Sequence, residues 1–160
     1  MHRGLWNLDH ASFFSEATLI EIGVYQATVT TKDNKPDEAY VGLSENTFQT
    51  RFVNHKTSFN NHSKRMSIEL SKHVWNLKDS NINFRITSKI LKQDIAYNPS
   101  SKRCNLCLWE KYFTICKPHL ATLNKRNELV SSCRPASKFL LKKIQFFCYI
   151  IDPIETALYP

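Results

Sequence analysis

The chain has 160 residues, 42% of them hydrophobic and 22% charged, with ten Phe and three Trp. That is one globular domain's worth of chain and too apolar for a disordered one. No apolar run reaches the roughly 18 residues that a membrane-spanning helix needs, since the longest, Ile144 to Ile151, stops far short. The net charge of +8 is uneven: residues 51–103 hold 11 of the 22 Lys and Arg but only three acids, Glu69, Asp79 and Asp94, so that window carries all of it. Such a block is the usual electrostatic footprint of a nucleic-acid face. Lys56, Lys64, Arg65 and Lys72 are its candidate DNA contacts; a solvated basic surface is the plainer alternative. Met1 to Asp9 has no apolar core of a secretory leader, and the cysteine count of five is odd. Reduced thiols in an intracellular, nuclear setting are the expectation.

In chain order, residues 1–21 have no clear period. Gly23 to Thr31, rich in β-branched and aromatic residues, predicts a strand. Asp33 to Asp37 is turn chemistry, and Ala39 to Leu43 predicts the second strand of a hairpin. Ser44 as N-cap predicts a helix over Glu45 to Thr57, with Phe48, Phe52 and Val53 as its apolar stripe. Ser67 to Lys78 predicts a second helix that buries Ile68, Leu70, Val74, Trp75 and Leu77. Ile82 to Leu91 predicts a third strand. Leu106 to Cys116 predicts a third helix, apolar on most sides and ended by Pro118. Asn127 to Cys133 is a short last helix candidate. The chain has three glycines, and both internal ones, Gly23 and Gly42, sit two residues from a tyrosine: Gly23-Val24-Tyr25 and Tyr40-Val41-Gly42. Scarce glycines mark places where a side chain does not fit.

The two tripeptides at hairpin spacing, Arg51 nine residues after Gly42, and Glu110 within Trp109-Glu110-Lys111-Tyr112-Phe113 together resemble the GIY-YIG nuclease superfamily. The longer stretches YVGLSENTFQTRFVNH, IELSKHVWNLKD, KRCNLCLWEKYF and LNKRNEL are similar to the endonuclease domain of Penelope-like retroelements. The resemblance implies an α+β fold, a small three-stranded antiparallel sheet flanked by helices. It covers residues 22–134, between an unplaced segment 1–21 and an unplaced extension 135–160. The N-terminus looks truncated or recombined relative to those relatives, which often carry cysteines before the first strand.

The implied activity is metal-dependent hydrolysis of DNA phosphodiester bonds in a mobile-element-derived domain. In that scheme Glu110 holds Mg²⁺ (or Mn²⁺). Its plainer reading is a carboxylate near a helix N-terminus. A lone acid among Leu108, Trp109, Tyr112 and Phe113 is, however, costly to bury unless something cationic meets it. Arg51 is the phosphate clamp, because a guanidinium can grip two oxygens. His55, one helical turn on, assists proton transfer or binds phosphate. Tyr40 is the favoured base and Tyr25 its hydrogen-bonded partner, although a free phenol near pKa ~10 needs help to act so. Gly42 lets backbone approach a phosphate, and Asn124 matches an Asn near the active site of the family. Cys104 and Cys107 have zinc-knuckle spacing, with Cys116, His119 and Cys133 as further candidate ligands of a structural Zn²⁺; buried, unligated thiols are the alternative. A catalytically silent nucleic-acid-binding module and a degenerate retroelement fragment are the competing functional readings.

Overall fold

The computed structural model describes residues 22–32, 35–95, 100 and 104–125. Among them the order is β1 (Gly23–Thr31), β2 (Glu38–Ser44), α1 (Phe48–Asn60), α2 (Glu69–Asp79), β3 (Phe84–Gln93) and α3 (Asn105–Cys116). Single 3-10 turns at His62–Lys64 and Pro118–Leu120 follow α1 and α3. The three strands form an antiparallel sheet in the order β2-β1-β3, so the fold is α+β as expected. The segments 1–21 and 135–160, Cys133 and the last helix candidate lie outside the described residues. Among the described residues no helix is long and apolar enough to cross a membrane.

Strand residues alternate between the faces of the sheet, and both faces are covered. Tyr25, Ala27, Val29, Tyr40 and Ile86 meet Phe59 of α1 and Leu70, Val74 and Leu77 of α2. Val24 and Val41 meet Leu106, Tyr112 and Phe113 of α3, with Ala121 beyond it. A central strand buried on both sides explains why β1 lacks a polar alternation.

Three local devices fix this arrangement. First, the ladder between β1 and β3 shifts register, pairing Val24 with Lys92 but Tyr25 with Ile90, so Leu91 bulges. The bulged backbone passes close to Gly23, where a Cβ would lie 2.6 Å from the Lys92 carbonyl oxygen. Second, α2 ends in a Schellman motif: Asn81 takes φ 55°, Ile82 N donates to Leu77 O (2.9 Å) and Asn81 N to Lys78 O (3.0 Å). Third, the outer edge of β2 is sealed by residues 122–124. Ala39 N donates to Thr122 Oγ1 and Leu123 N to Ala39 O, each at 2.8 Å. Asn124 accepts from Val41 N and donates to Val41 O, both at 2.8 Å, taking the place of a fourth strand there.

Two helix predictions need correction. Helix α1 starts at Phe48, three residues late, because Ser44 is the last residue of β2 and its Oγ donates to Asn46 O (2.7 Å) rather than capping a helix. Its buried face is also different. Val53 is 53% exposed, and the buried residues are His55, Ser58 and Phe59. A partly polar face can be buried because its groups are paired: Ser58 Oγ lies 2.8 Å from Ser71 Oγ, and Trp75 Nε1 donates to Ser58 O at 2.9 Å.

Candidate active site

The site begins at Gly42. It faces Tyr25 across the β1–β2 ladder, with Tyr40 two residues back on the same face. A Cβ at Gly42 would lie 2.6 Å from Tyr25 Oη, 2.8 Å from Tyr25 Cζ and 2.9 Å from Tyr40 Cε1. No described glycine has a positive φ, so Gly42 is required for close approach and not for backbone freedom. What approaches is the pair of tyrosine rings, whereas the sequence suggested that Gly42 lets its own backbone approach a phosphate.

Helix α1 lies over these rings and brings Arg51 and His55, one turn apart, onto Tyr25. Tyr25 Oη is 2.6 Å from His55 Nε2, and Arg51 Nε donates to the same Oη at 3.4 Å. The His55 ring sits edge-on to both Tyr25 and Tyr40 and stacks on Phe59. All three of Tyr25, Tyr40 and His55 are buried, and Arg51 is half-buried.

The charges follow from that burial. Burial, reinforced by the nearby Arg51 cation, pushes His55 from its ordinary 6.5 down to about 3, so its imidazole is neutral. Burial raises the Tyr25 phenol above its ordinary value; Arg51 pulls in the other direction without winning, and Glu110 adds to the rise. A guanidinium can only donate, so we assign the Tyr25 hydroxyl proton to His55 Nε2 and the imidazole proton to Nδ1. With the phenol raised and the imidazole lowered, proton transfer between them is strongly uphill. His55 therefore acts as a fixed acceptor that orients Tyr25, where the sequence suggested proton transfer or phosphate binding. Burial works against the Arg51 cation, but Tyr25, Tyr40 and Glu110 more than offset this, and its pKa stays above the ordinary value. With Nε on Tyr25, the two Nη groups remain to grip a phosphate.

Glu110 comes from the other face of the sheet, on α3. Asp94 ties α3 to the end of β3, accepting from Trp109 Nε1 (2.8 Å) and Asn105 Nδ2 (3.0 Å). Glu110 is the sixth residue of α3, past the first turn, so the helix dipole does not account for it. Its carboxylate is close enough to Arg51 and Tyr25 for their charges to interact. Lys111 Nζ lies 3.5 Å from Glu110 Oε2. Lys111 is buried at 2% exposure, a placement that the sequence reading missed. The signal was a lysine inside the apolar run from Leu106 to Phe113.

The remaining candidates separate from this cluster. The Asn124 amide is engaged at both ends by Val41, so it pins β2. Arg65 pairs with Asp79 (3.1 Å), and Lys72 pairs with Glu69 (2.5 Å), which Lys125 also reaches (3.0 Å). Those cations are partly neutralised locally. Lys64 is exposed and Lys56 half-buried. Cys107 is buried in the first turn of α3 and Cys104 sits at its N-cap; neither is disulfide-bonded. Cys116 is disulfide-bonded, which corrects its place among reduced thiols and as a zinc ligand, and His119 is exposed. Among the described residues no three of His, Cys, Asp and Glu gather as a metal cluster.

Compared with protein-family models, with curated proteins and with solved structures, the chain has no match.

Proposed function

We propose that this chain is a DNA endonuclease domain of GIY-YIG type, mobile-element derived, that hydrolyses phosphodiester bonds with Mg²⁺ or Mn²⁺. One observation carries the reading: Tyr25, Tyr40, Arg51 and His55, spread over two strands and a helix, pack around the missing side chain of Gly42. The charge of Glu110 reaches the same point from the opposite face. A structural core needs none of these polar groups, and burying them without use is costly.

The donor chemistry fits a hard cation. Glu110 offers one carboxylate, 18% exposed, and a carboxylate oxygen is a hard ligand. Mg²⁺ is often held by one carboxylate, waters and substrate phosphate oxygens. When bound, it supplies positive charge for the transition state and the leaving oxygen. The chain's own groups do the rest. Arg51 grips the scissile phosphate through its Nη pair and neutralises charge developing on it. Tyr25, held between Arg51 and His55, fixes the guanidinium's angle. Tyr40, on the same face and beside Gly42, is placed to orient the attacking water.

Nicking of supercoiled plasmid in Mg²⁺ tests the reading. Wild type should cut, and Glu110→Gln and Arg51→Ala should each lose at least ~100-fold in rate, the scale for groups that stabilise developing charge. Measured without divalent metal, Glu110→Gln should keep its DNA affinity, whereas Arg51→Ala should weaken it slightly. An inert wild type, or a Glu110→Gln variant that cuts at the wild-type rate, would overturn the assignment.

A further inference from the structure

Lys111 is the one lysine among the described residues whose side chain is almost wholly removed from water, at 3% exposure. It follows Glu110 in α3, a helix that also buries Leu106, Cys107, Tyr112 and Phe113. A methionine or leucine would pack there without the cost of desolvating an ammonium group. Its Nζ lies 3.5 Å from the carboxylate that the proposed reaction needs for a metal. Held by packing, this cation cannot swing into solvent to make way for another. Arg51 adds a second positive charge that the same carboxylate feels.

We propose that Lys111 is a built-in counter-cation that suppresses metal binding at Glu110 until DNA arrives, so that metal and DNA are taken up together. This rests on the endonuclease reading above. In the DNA-free protein a divalent ion meets a carboxylate whose charge is already balanced, and two cations, the buried Lys111 and the half-buried Arg51, repel it. A DNA phosphate changes that balance. It draws the Arg51 guanidinium to itself and adds negative oxygens that the ion can share with Glu110. Metal affinity must then rise when DNA is bound, and DNA affinity must rise by the same factor when metal is bound. Such coupling keeps a hydrolytic site idle in the absence of substrate. Lys111 touches neither substrate nor metal in this account; it is a positioning residue acting through Glu110.

Binding of Mn²⁺, read from the loss of the free-ion electron paramagnetic resonance signal, tests the coupling without relying on cleavage. It is measured on the whole chain with and without a phosphorothioate duplex that the protein does not cut. Without DNA, Lys111→Met should bind Mn²⁺ at least ~10-fold tighter than wild type, because a unit charge beside the ligand is removed. Lys111→Arg, which keeps the charge, should behave like wild type. An unchanged or weaker affinity in folded Lys111→Met would sink the proposal. If that variant does not fold, the wild type and Glu110→Gln decide alone. Their Mn²⁺ affinities should differ less than about twofold without DNA and more than ~10-fold with it. An equal difference in both conditions defeats the role of Lys111 while leaving Glu110 as a metal ligand. No difference in either condition defeats the endonuclease reading itself.

Discussion

Replacing Gly42 with alanine tests the centre of the site with the smallest change available. The new methyl group would lie 2.6 Å from Tyr25 Oη, 2.8 Å from Tyr25 Cζ and 2.9 Å from Tyr40 Cε1. Neither ring can move away freely. Tyr25 is fully buried, with His55 Nε2 held 2.6 Å behind its hydroxyl, and Tyr40 is 6% exposed. Overpacking of a tight core costs about 1–3 kcal/mol. If the Tyr25 ring tilts enough to release His55, a buried hydrogen bond worth about 1 kcal/mol goes with it. The sum, about 2–4 kcal/mol, should lower the midpoint of thermal unfolding by roughly 4–16 °C in a domain of this size. Circular dichroism melts of wild type, Gly42→Ala, Tyr25→Phe and the double variant form a cycle. Removing the Tyr25 hydroxyl deletes the nearest atom, so the alanine should cost less in the Tyr25→Phe background, with a coupling on the order of 1 kcal/mol. A Gly42→Ala melt within about 2 °C of wild type, or strict additivity in the cycle, would refute the close packing on which the site description rests.

Stability should also fall below neutral pH. Unfolded His55 takes a proton near 6.5 and the folded residue resists until about 3, so its contribution is complete above 6.5 and is lost as the pH drops. From His55 alone the loss between pH 7 and pH 5 is about 2 kcal/mol; His73, lowered by burial, acts in the same direction, and His55→Gln should flatten the denaturant-measured slope without abolishing it. Asn124→Ala removes both bonds to Val41 and should destabilise the protein by about 1–3 kcal/mol, while its DNA affinity, measured where the variant is folded, stays within about twofold of wild type. A stable Asn124→Ala variant with weakened DNA binding would instead return Asn124 to the DNA contacts.

The order of elements was legible because period and punctuation agree along most of the chain. The first strand has the boundaries that its β-branched run suggests, and Pro118 stops α3 as its chemistry requires. The start of α1 was not legible. A serine before an acidic residue is a cap only where the chain has already left the sheet, and the pairing of Ser44 with Gly23 keeps it in β2. Nor could the buried stripe of α1 be read from apolarity. The helix turns His55 and Ser58 inward and leaves Val53 out, an arrangement that depends on Tyr25 and Ser71 waiting on other elements to satisfy them.

The site divides along the same line. Both glycines were marked by scarcity, and both do exclude a side chain: Gly23 against the bulged β3 backbone, and Gly42 against two tyrosines. Which neighbour forbids the Cβ could not be known before the register placed Gly42 opposite Tyr25. The cation demanded by a half-buried Glu110 was foreseeable as a need, but its identity was not. Two answer it: Arg51 through its charge across the sheet, and Lys111 from the next position on the same helix. Adjacent helical residues point about 100° apart, so a sequence reading sends Lys111 away from its neighbour. Here the helix stands so that one side chain keeps 18% exposure and the other is driven into the core, and their charged ends still meet at 3.5 Å. A buried ammonium next to a largely buried carboxylate is a standing cost to the fold. The fold carries that cost at the carboxylate whose field reaches Arg51 and Tyr25, where the proposed reaction would use a fixed positive charge.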